Sequence, residues 1–482
     1  MTHPYLRTAA ALAASLFVAA CGNSEDEAVV APEEARAHDS RVFTADATAT
    51  TFAAMPAATT DTVVMASTSR WAGVLGGAAY RVEVPATWNG KLVMYAHGFR
   101  GEGAALTVSD PSIRRYLIQN GYAWAASSYS KNYYDVRAGV EDTNALANEF
   151  TKIAAARGRT LAAPTRNYIT GHSMGGHITG AAIEAETAAT ARNKTTYQGA
   201  VPMCGVMGDT ELFNQFAAMQ VTAQALAGLP TNPTDKFADI RPVVTSTLFS
   251  TFTTLSIVPT AQGQKYLSVV KNITGGERPL FAQGIAFGGS FPSAYGTFGS
   301  DGTVTGILNK NVLDTRAYTY TIDGDLAGST ALNVTAQKLT PAADANRLRT
   351  DGLRWIPQIN GEFKIPVVSI HTLGDLFVPF SMQQVYQRRV AAKGNSTWLV
   401  QRAIRGASHC DFTVAEQAEA FDAMIRWERD GVKPTGDDVV TAATVAAPSY
   451  GCTYTRNTLG PDESDAVRQL RPAVLGATPP CP

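Results

Sequence analysis

The sequence predicts an α/β fold: a mostly parallel central sheet with helices on both faces and a large cap inserted into it. Three observations carry this. Apolar strand-like runs alternate with helical stretches, which is the pattern of a parallel sheet covered on both sides. A glycine-rich turn with a serine at its centre stands between one strand and the helix after it. A single stretch, residues 208–360, breaks the alternation and is too long for a connection, so it must hold structure of its own.

The elements follow in order. Tyr80-Arg-Val-Glu-Val84 alternates as a half-buried strand, and Pro85 ends it. Lys91 to Ala96 is a continuous apolar strand running into His97-Gly98-Phe99. Tyr122 to Ala126 is another, after a turn at Asn120-Gly121. Asp142 to Ile153 has helical spacing. A strand over 167–172 leads into the serine turn, and further strands are expected over 195–203, 363–371 and 398–404. Within the long stretch, helices are expected over 209–227, 260–273 and 344–355, with a Gly- and Phe-rich loop over 284–300. The domains are then a core of 69–207 and 361–433, a cap of 208–360 and a C-terminal extension of 434–482. The cap aromatics Phe281, Phe287, Phe291, Tyr295 and Phe298 are compatible with an apolar or aromatic ligand, although such residues more often pack.

The chemistry centres on Gly171-His-Ser-Met-Gly175, followed by Gly176 and an Ala-rich helix. A Gly-x-Ser-x-Gly turn between a strand and a helix holds its serine on a tight backbone with the hydroxyl exposed, and the helix start aims N–H groups beside it. A serine nucleophile needs a base, and the base an orienting acid. Of seven histidines, His3 and His38 precede the fold. His172 and His177 belong to the turn and its helix, and His97 and His371 lie at strand ends. His409, in Gly406-Ala-Ser-His-Cys-Asp-Phe412, sits in a small-residue loop after the last strand and is the expected base. Asp375, in Gly374-Asp375 just past the strand ending near His371, is the expected acid; Asp351 and Asp411 are its competitors. An oxyanion is expected to meet the N–H groups of Met174 and Phe99. No metal or organic cofactor is called for.

These motifs stand in the order His97-Gly-Phe99, Gly171-x-Ser173-x-Gly175, Gly374-Asp375, Ser408-His409. In that order the chain resembles α/β-hydrolase fold enzymes from about Trp71 to Lys433. The resemblance implies a Ser–Asp–His hydrolase, with esters as the expected substrates, small or polymeric. A second reading is a peptidase or amidase resembling prolyl-oligopeptidase catalytic domains, and a third is a surface binding protein on the same scaffold. His409-Cys410 resembles tannases and feruloyl esterases, where a Cys beside the Ser is bridged to the Cys after the His. Here His172 occupies that first position and Cys204 would have to substitute.

Composition limits the partners. The formal net charge of −1 over 482 residues supplies no basic field for nucleic acid. Near the N-terminus, Arg7 is followed by an apolar run from Ala9 to Ala20, too short to span a bilayer and typical of an export signal. It ends in Val18-Ala-Ala-Cys21, which resembles the lipobox of bacterial lipoproteins. Cys21 is then the lipid anchor, and Gly22 after it favours the outer membrane; ordinary cleavage and a soluble secreted product is the alternative. Residues 22–68, rich in Ala, Thr, Ser and acids, read as a flexible tether. Of the remaining cysteines, four in an exported protein suggest two disulfides with three connectivities. Cys204 and Cys410 are expected at one sheet edge and Cys452 and Cys481 bracket the tail, which favours Cys204–Cys410 and Cys452–Cys481. Oligomeric state leaves no signal.

Overall fold

Successive strand residues face opposite sides of a sheet, and the apolar runs of this chain use both. Leu92 and Met94 face one buried layer with Ile169 and Ala200; Val93 and Tyr95 face the other with Tyr168 and Val201. The computed structural model describes residues 41–482 apart from 47–49, 255, 287–288, 350–351, 478–480 and 482. The export signal, Cys21, residues 22–40, Phe287 and Asp351 therefore lie outside the described residues.

Eight strands form the main sheet: β1 (Ser69–Leu75), β2 (Ala78–Val84), β3 (Lys91–Ala96), β4 (Ala123–Ser127), β5 (Arg166–His172), β6 (Gly199–Met203), β7 (Val367–Thr372) and β8 (Leu399–Ile404). Their order across the sheet is β8-β7-β6-β5-β3-β4-β2-β1. Only β2 runs against the rest: it pairs antiparallel with β1 and β4, whereas the other neighbours are parallel. Helices α1 (Arg114–Gln119), α2 (Val136–Ala156) and α3 (Met174–Ala182) follow in the first half of the core. Val136, Val140 and Phe150 of α2 and Ile178 of α3 bury against one face. The other face is covered by Leu117 of α1 and by Phe421 and Met424 of a later helix (Val414–Asp430). That helix starts on a capping box, with Thr413 and Glu416 satisfying each other's backbone N–H groups.

The cap is mainly helical. It holds α4 (Glu211–Leu226), α5 (Phe237–Leu248), α6 (Ala261–Ile273), α7 (Phe281–Ile285), α8 (Phe291–Gly296) and α9 (Leu326–Thr335). A short antiparallel pair, Phe249–Phe252 with Ile257–Pro259, completes it. Two sequence expectations fail here. Residues 284–300 are not loop throughout, because Phe291 and Tyr295 fall one helical turn apart on α8 and bury together with Phe249 and Tyr266. Residues 344–355 are not a helix in their described part: Asp344 and Gly352 have φ of 55° and 125°, and Leu348 bridges antiparallel to Arg354. Trp355 is buried instead among Val304, Ile307 and Ile356.

The tether reading of 22–68 also needs correction from residue 41 onward. Thr44–Ala45 pairs in parallel with Ala105–Leu106. The Phe52 and Trp124 rings meet edge to face, with centroids 5.4 Å apart. Arg114 donates to Ala53 O at 2.8 Å, and Arg115 pairs with Asp61 at 2.5 Å. Composition misses this because the segment contributes few large apolar groups; its carbonyls and one carboxylate serve two arginines of α1. The C-terminal extension is equally fixed. It includes a helix over Asp465–Ala477 whose Arg471, 1% exposed, pairs with Glu416 at 2.8 Å.

Candidate functional site

β5 ends at the middle of the sheet, and the chain must turn there without leaving room for a side chain. A Cβ at Gly175 would lie 2.0 Å from Ala96 O, and one at Gly171 2.4 Å from Gly175 O. Between them Ser173 adopts φ 58°, ψ −121°, a sparsely populated conformation for a residue with a side chain. Its N–H donates to Met203 O on β6 at 3.1 Å, and its carbonyl accepts from His177 N at 3.1 Å. The turn is thus pinned to the neighbouring strand and to α3.

His409 Nε2 stands 2.8 Å from Ser173 Oγ, and its Nδ1 stands 2.6 Å from Asp375 Oδ2. The three residues expected from sequence are brought into one hydrogen-bonded line. Asp375 is fully buried, and its Oδ1 accepts from Phe377 N at 2.9 Å and Val378 N at 3.0 Å. The loop carrying His409 is tied at several points. Thr372 Oγ1 donates to Ser408 O at 2.9 Å, and Gly374 N to Gly406 O at 2.9 Å. Arg471 Nη2 donates to Asp411 O at 2.7 Å. Asp411 itself accepts from Ala407 N at 3.0 Å and so braces this loop.

The cysteines pair as Cys204–Cys410 and Cys452–Cys481, with Cα separations of 5.3 and 5.5 Å. Cys410 Sγ lies 3.5 Å from His409 Nε2. The first bridge therefore joins the loop of the base directly to the residue after β6.

His97-Gly98-Phe99 packs against the serine: a Cβ at Gly98 would be 3.2 Å from Ser173 Cβ. Among the described residues, neither Met174 N nor Phe99 N donates to a backbone carbonyl. Buried His97 places Nδ1 2.7 Å from Gly98 O and Nε2 3.1 Å from Ser128 O. The Gly98 carbonyl belongs to the same peptide as the Phe99 N–H, so holding one fixes the direction of the other.

Of the other described histidines, His97, His177 and His371 are buried and His172 is half-buried. Burial pushes His97 and His172 down to about 4, and lowers His371 and His177 as well. His172 sits between Tyr95 OH at 3.1 Å and Gln417 Oε1 at 3.0 Å. As a neutral ring it accepts from the phenol and donates to the amide.

Above Ser173 lies a cavity of about 330 Å³, walled by Phe99, Tyr133, Phe213, Phe216, Val304 and Phe377 among others. Of its described lining residues only Glu102 carries a charge. The described members of the aromatic cluster singled out in the cap, Phe281, Phe291, Tyr295 and Phe298, are not among its lining residues. Phe291 and Tyr295 pack into the cap's own core, with Tyr295 and Phe298 ring centroids 4.9 Å apart. Phe213 and Phe216 lie on α4 and Phe377 follows the acid, at spacings that carry no sequence signal for a cavity.

The strand order, with only β2 reversed, defines an α/β-hydrolase fold. No family model matches the chain. Over 91 residues it is 26% identical to the o-phthalyl amidase of Xanthobacter agilis, covering 19% of this chain and 20% of that protein. The match thus spans about a fifth of that curated relative's length. Among solved structures, feruloyl esterase B of Aspergillus oryzae superposes with a TM-score of 0.41 at 14% identity, over 79% of this chain and 86% of that one. Candida antarctica lipase A gives 0.35 at 14% identity, over 84% and 85%. The acylaminoacyl peptidase of Pyrococcus horikoshii gives 0.35 at 9% identity, over 77% and 43%. The strand order, not these likenesses, carries the fold.

Proposed function

We propose that this chain is a serine hydrolase that cleaves carboxylic esters through an acyl-enzyme. One observation carries the reading: a single imidazole bridges a buried carboxylate at 2.6 Å and a serine hydroxyl at 2.8 Å on the floor of an apolar cavity. Ser173 attacks the acyl carbon as His409 takes its proton. Asp375 holds the ring in the tautomer with Nδ1–H toward the carboxylate and stabilises the imidazolium. The N–H groups of Met174 and Phe99 receive the developing oxyanion; being backbone donors, they need no reorganisation as charge appears. His409 then protonates the leaving alcohol, and water repeats the sequence on the acyl group. No step needs a metal or organic cofactor. The cavity suits an apolar or aryl group, since its described lining is mostly aromatic and aliphatic and offers an anionic group no cation.

A second reading, amide hydrolysis by the same residues, is favoured by the short sequence similarity to an amidase. We place the protein outside the cytoplasm, on the strength of its export signal and two disulfides. There Cys21 anchors it to the membrane through lipid.

The test is labelling of the purified protein with a fluorophosphonate, followed by a panel of p-nitrophenyl esters and their matched anilides. Label on Ser173 and ester turnover are expected, with Ser173→Ala folded and inactive. Turnover of that variant within tenfold of wild type would remove the serine from its role. Faster anilide than ester turnover would favour the amidase.

A further inference from the structure

The turn that carries Asp375 is built by the core on one side and by the cap on the other. Leu376, next to the acid, is fully buried and belongs to the cap's apolar cluster with Phe291 and Tyr295. Arg278, 3% exposed and on the cap, donates through Nε to Leu373 O at 2.7 Å. Gly284 of α7 lies so close that a Cβ there would stand 2.0 Å from Gly374 O. Ser290, 4% exposed and just before α8, accepts at Oγ from Leu376 N at 2.7 Å and Phe377 N at 3.2 Å. The same hydroxyl donates to Asp375 Oδ1 at 3.3 Å.

We propose that Ser290 is a positioning residue for the reaction: the cap, through this hydroxyl, aims the Asp375 carboxylate at His409 and sets how much charge it presents. The proposal rests on the hydrolase reading above. The cap is then a fixed part of the acid's support, and any opening that admits substrate must leave Arg278, Gly284 and Ser290 in place. The physical reason is a count of donors. Oδ1 takes two backbone N–H groups and one hydroxyl, while Oδ2 faces the imidazole alone at 2.6 Å. Without the Ser290 hydroxyl, the carboxylate loses one donor and buried Leu376 N loses its acceptor, so the turn shifts. Error near 1 Å in a reacting group can cost about 100-fold in rate.

The charged and titratable groups around the acid are His409, His371 and Arg278. His371 Nε2 lies 3.8 Å from Asp375 Oδ2 but 2.7 Å from Val378 O, to which it donates. Arg278 is a buried cation, and its outward neighbour Glu277 pairs with Lys271. None of these is altered by changing Ser290. A carboxylate with one donor fewer keeps more charge for the imidazolium, so the acid limb of the rate profile moves to higher pH.

The experiment measures kcat and KM on a p-nitrophenyl ester across pH for wild type, Ser290→Ala and Gly284→Ala, well below each melting point. Gly284→Ala pushes the cap off the acid turn without removing a polar group. In both variants kcat is expected to fall about 10–100-fold with KM within about twofold, and in Ser290→Ala the acid limb rises. Turnover within threefold of wild type in either variant, a loss confined to KM, or an unmoved limb in Ser290→Ala overturns the proposal. Fluorophosphonate labelling of wild-type Ser173 separates the two readings. Without it the hydrolase assignment fails; with it, unaltered variants remove only the role of Ser290.

Discussion

At the scale of single residues, Asp375 and His172 give separable tests. Asp375→Asn offers the imidazole an amide where a carboxylate stood, which favours the wrong ring tautomer. Turnover should fall on the order of 10³–10⁴-fold; a loss below tenfold in steady-state kinetics would show that another group orients the base. His172 bears on stability. Burial depresses it and His97 to about 4, below the unfolded value of about 6.5. A folded pKa below the unfolded one means that the folded state binds fewer protons. The contribution is therefore whole above pH about 6.5 and is lost as the pH falls toward about 4. Asp142 and Glu184, raised by burial to about 6 and about 7, act in the opposite sense. Their contribution is present at low pH and is lost as the pH rises through those values. Comparing variants isolates the histidine: His172→Gln should lose less stability than wild type between pH 6.5 and 4. Urea midpoints that fall in parallel for the two proteins would contradict this. The sequence marked His172 only as the neighbour of Ser173, because its partners Tyr95 and Gln417 lie 77 and 245 residues away.

Among the elements, the loop from Gly406 to Phe412 depends most on distant chain. Its Cys410 and the partner Cys204 both have positive φ, 58° and 43°, in a region non-glycine residues seldom occupy. A loop so bent keeps its shape only when its surroundings hold it. We expect the Cys204–Cys410 bridge to hold the base in place. Replacing both cysteines by Ala should lower turnover about 10–100-fold at temperatures where the protein remains folded. It should also cost roughly 2–5 kcal/mol of stability. Thiol counting by mass spectrometry followed by kinetics of the double variant checks this; wild-type turnover without the bridge would end the idea. The elements themselves were legible in unequal degree. Strand β3 was readable as a short apolar run, and β5 and β8 from the strand formers Tyr168 and Ile169 in the one and the apolar Leu399 and Val400 in the other. The 344–355 segment was misread because a helical spacing of polar and apolar residues says nothing about the positive φ at Asp344 and Gly352.

For the whole molecule, the N-terminal boundary can be tested by truncation. A chain beginning at residue 41 should keep its stability, whereas one beginning at residue 69 takes Ala53 O from Arg114 and Pro56 O and Asp61 from Arg115, leaving Glu83 and Asp110 on the first and Asp462 on the second. Losing hydrogen bonds made by a charged group costs about 1.5–3 kcal/mol each, visible as a lower denaturation midpoint. Equal midpoints for the two chains would return 41–68 to the role of a tether. Cys21→Ala should move the full chain from the membrane fraction to a soluble or unprocessed form; unchanged lipid labelling would exclude the anchor. The order of motifs along the chain was enough to predict the sheet, the cap and a serine, an acid and a base for one site. Local chemistry imposes those patterns: a turn that must pass within van der Waals contact of β3 has to be glycine, and a parallel strand buried on both faces favours apolar residues. What only the tertiary structure decided is what surrounds them. Ser290 reaching the acid, Arg471 reaching the loop of the base, and Phe213 and Phe216 walling the cavity all depend on contacts between segments far apart in sequence. Such contacts follow from how the cap and the tail pack, and packing leaves no periodicity for the sequence to display.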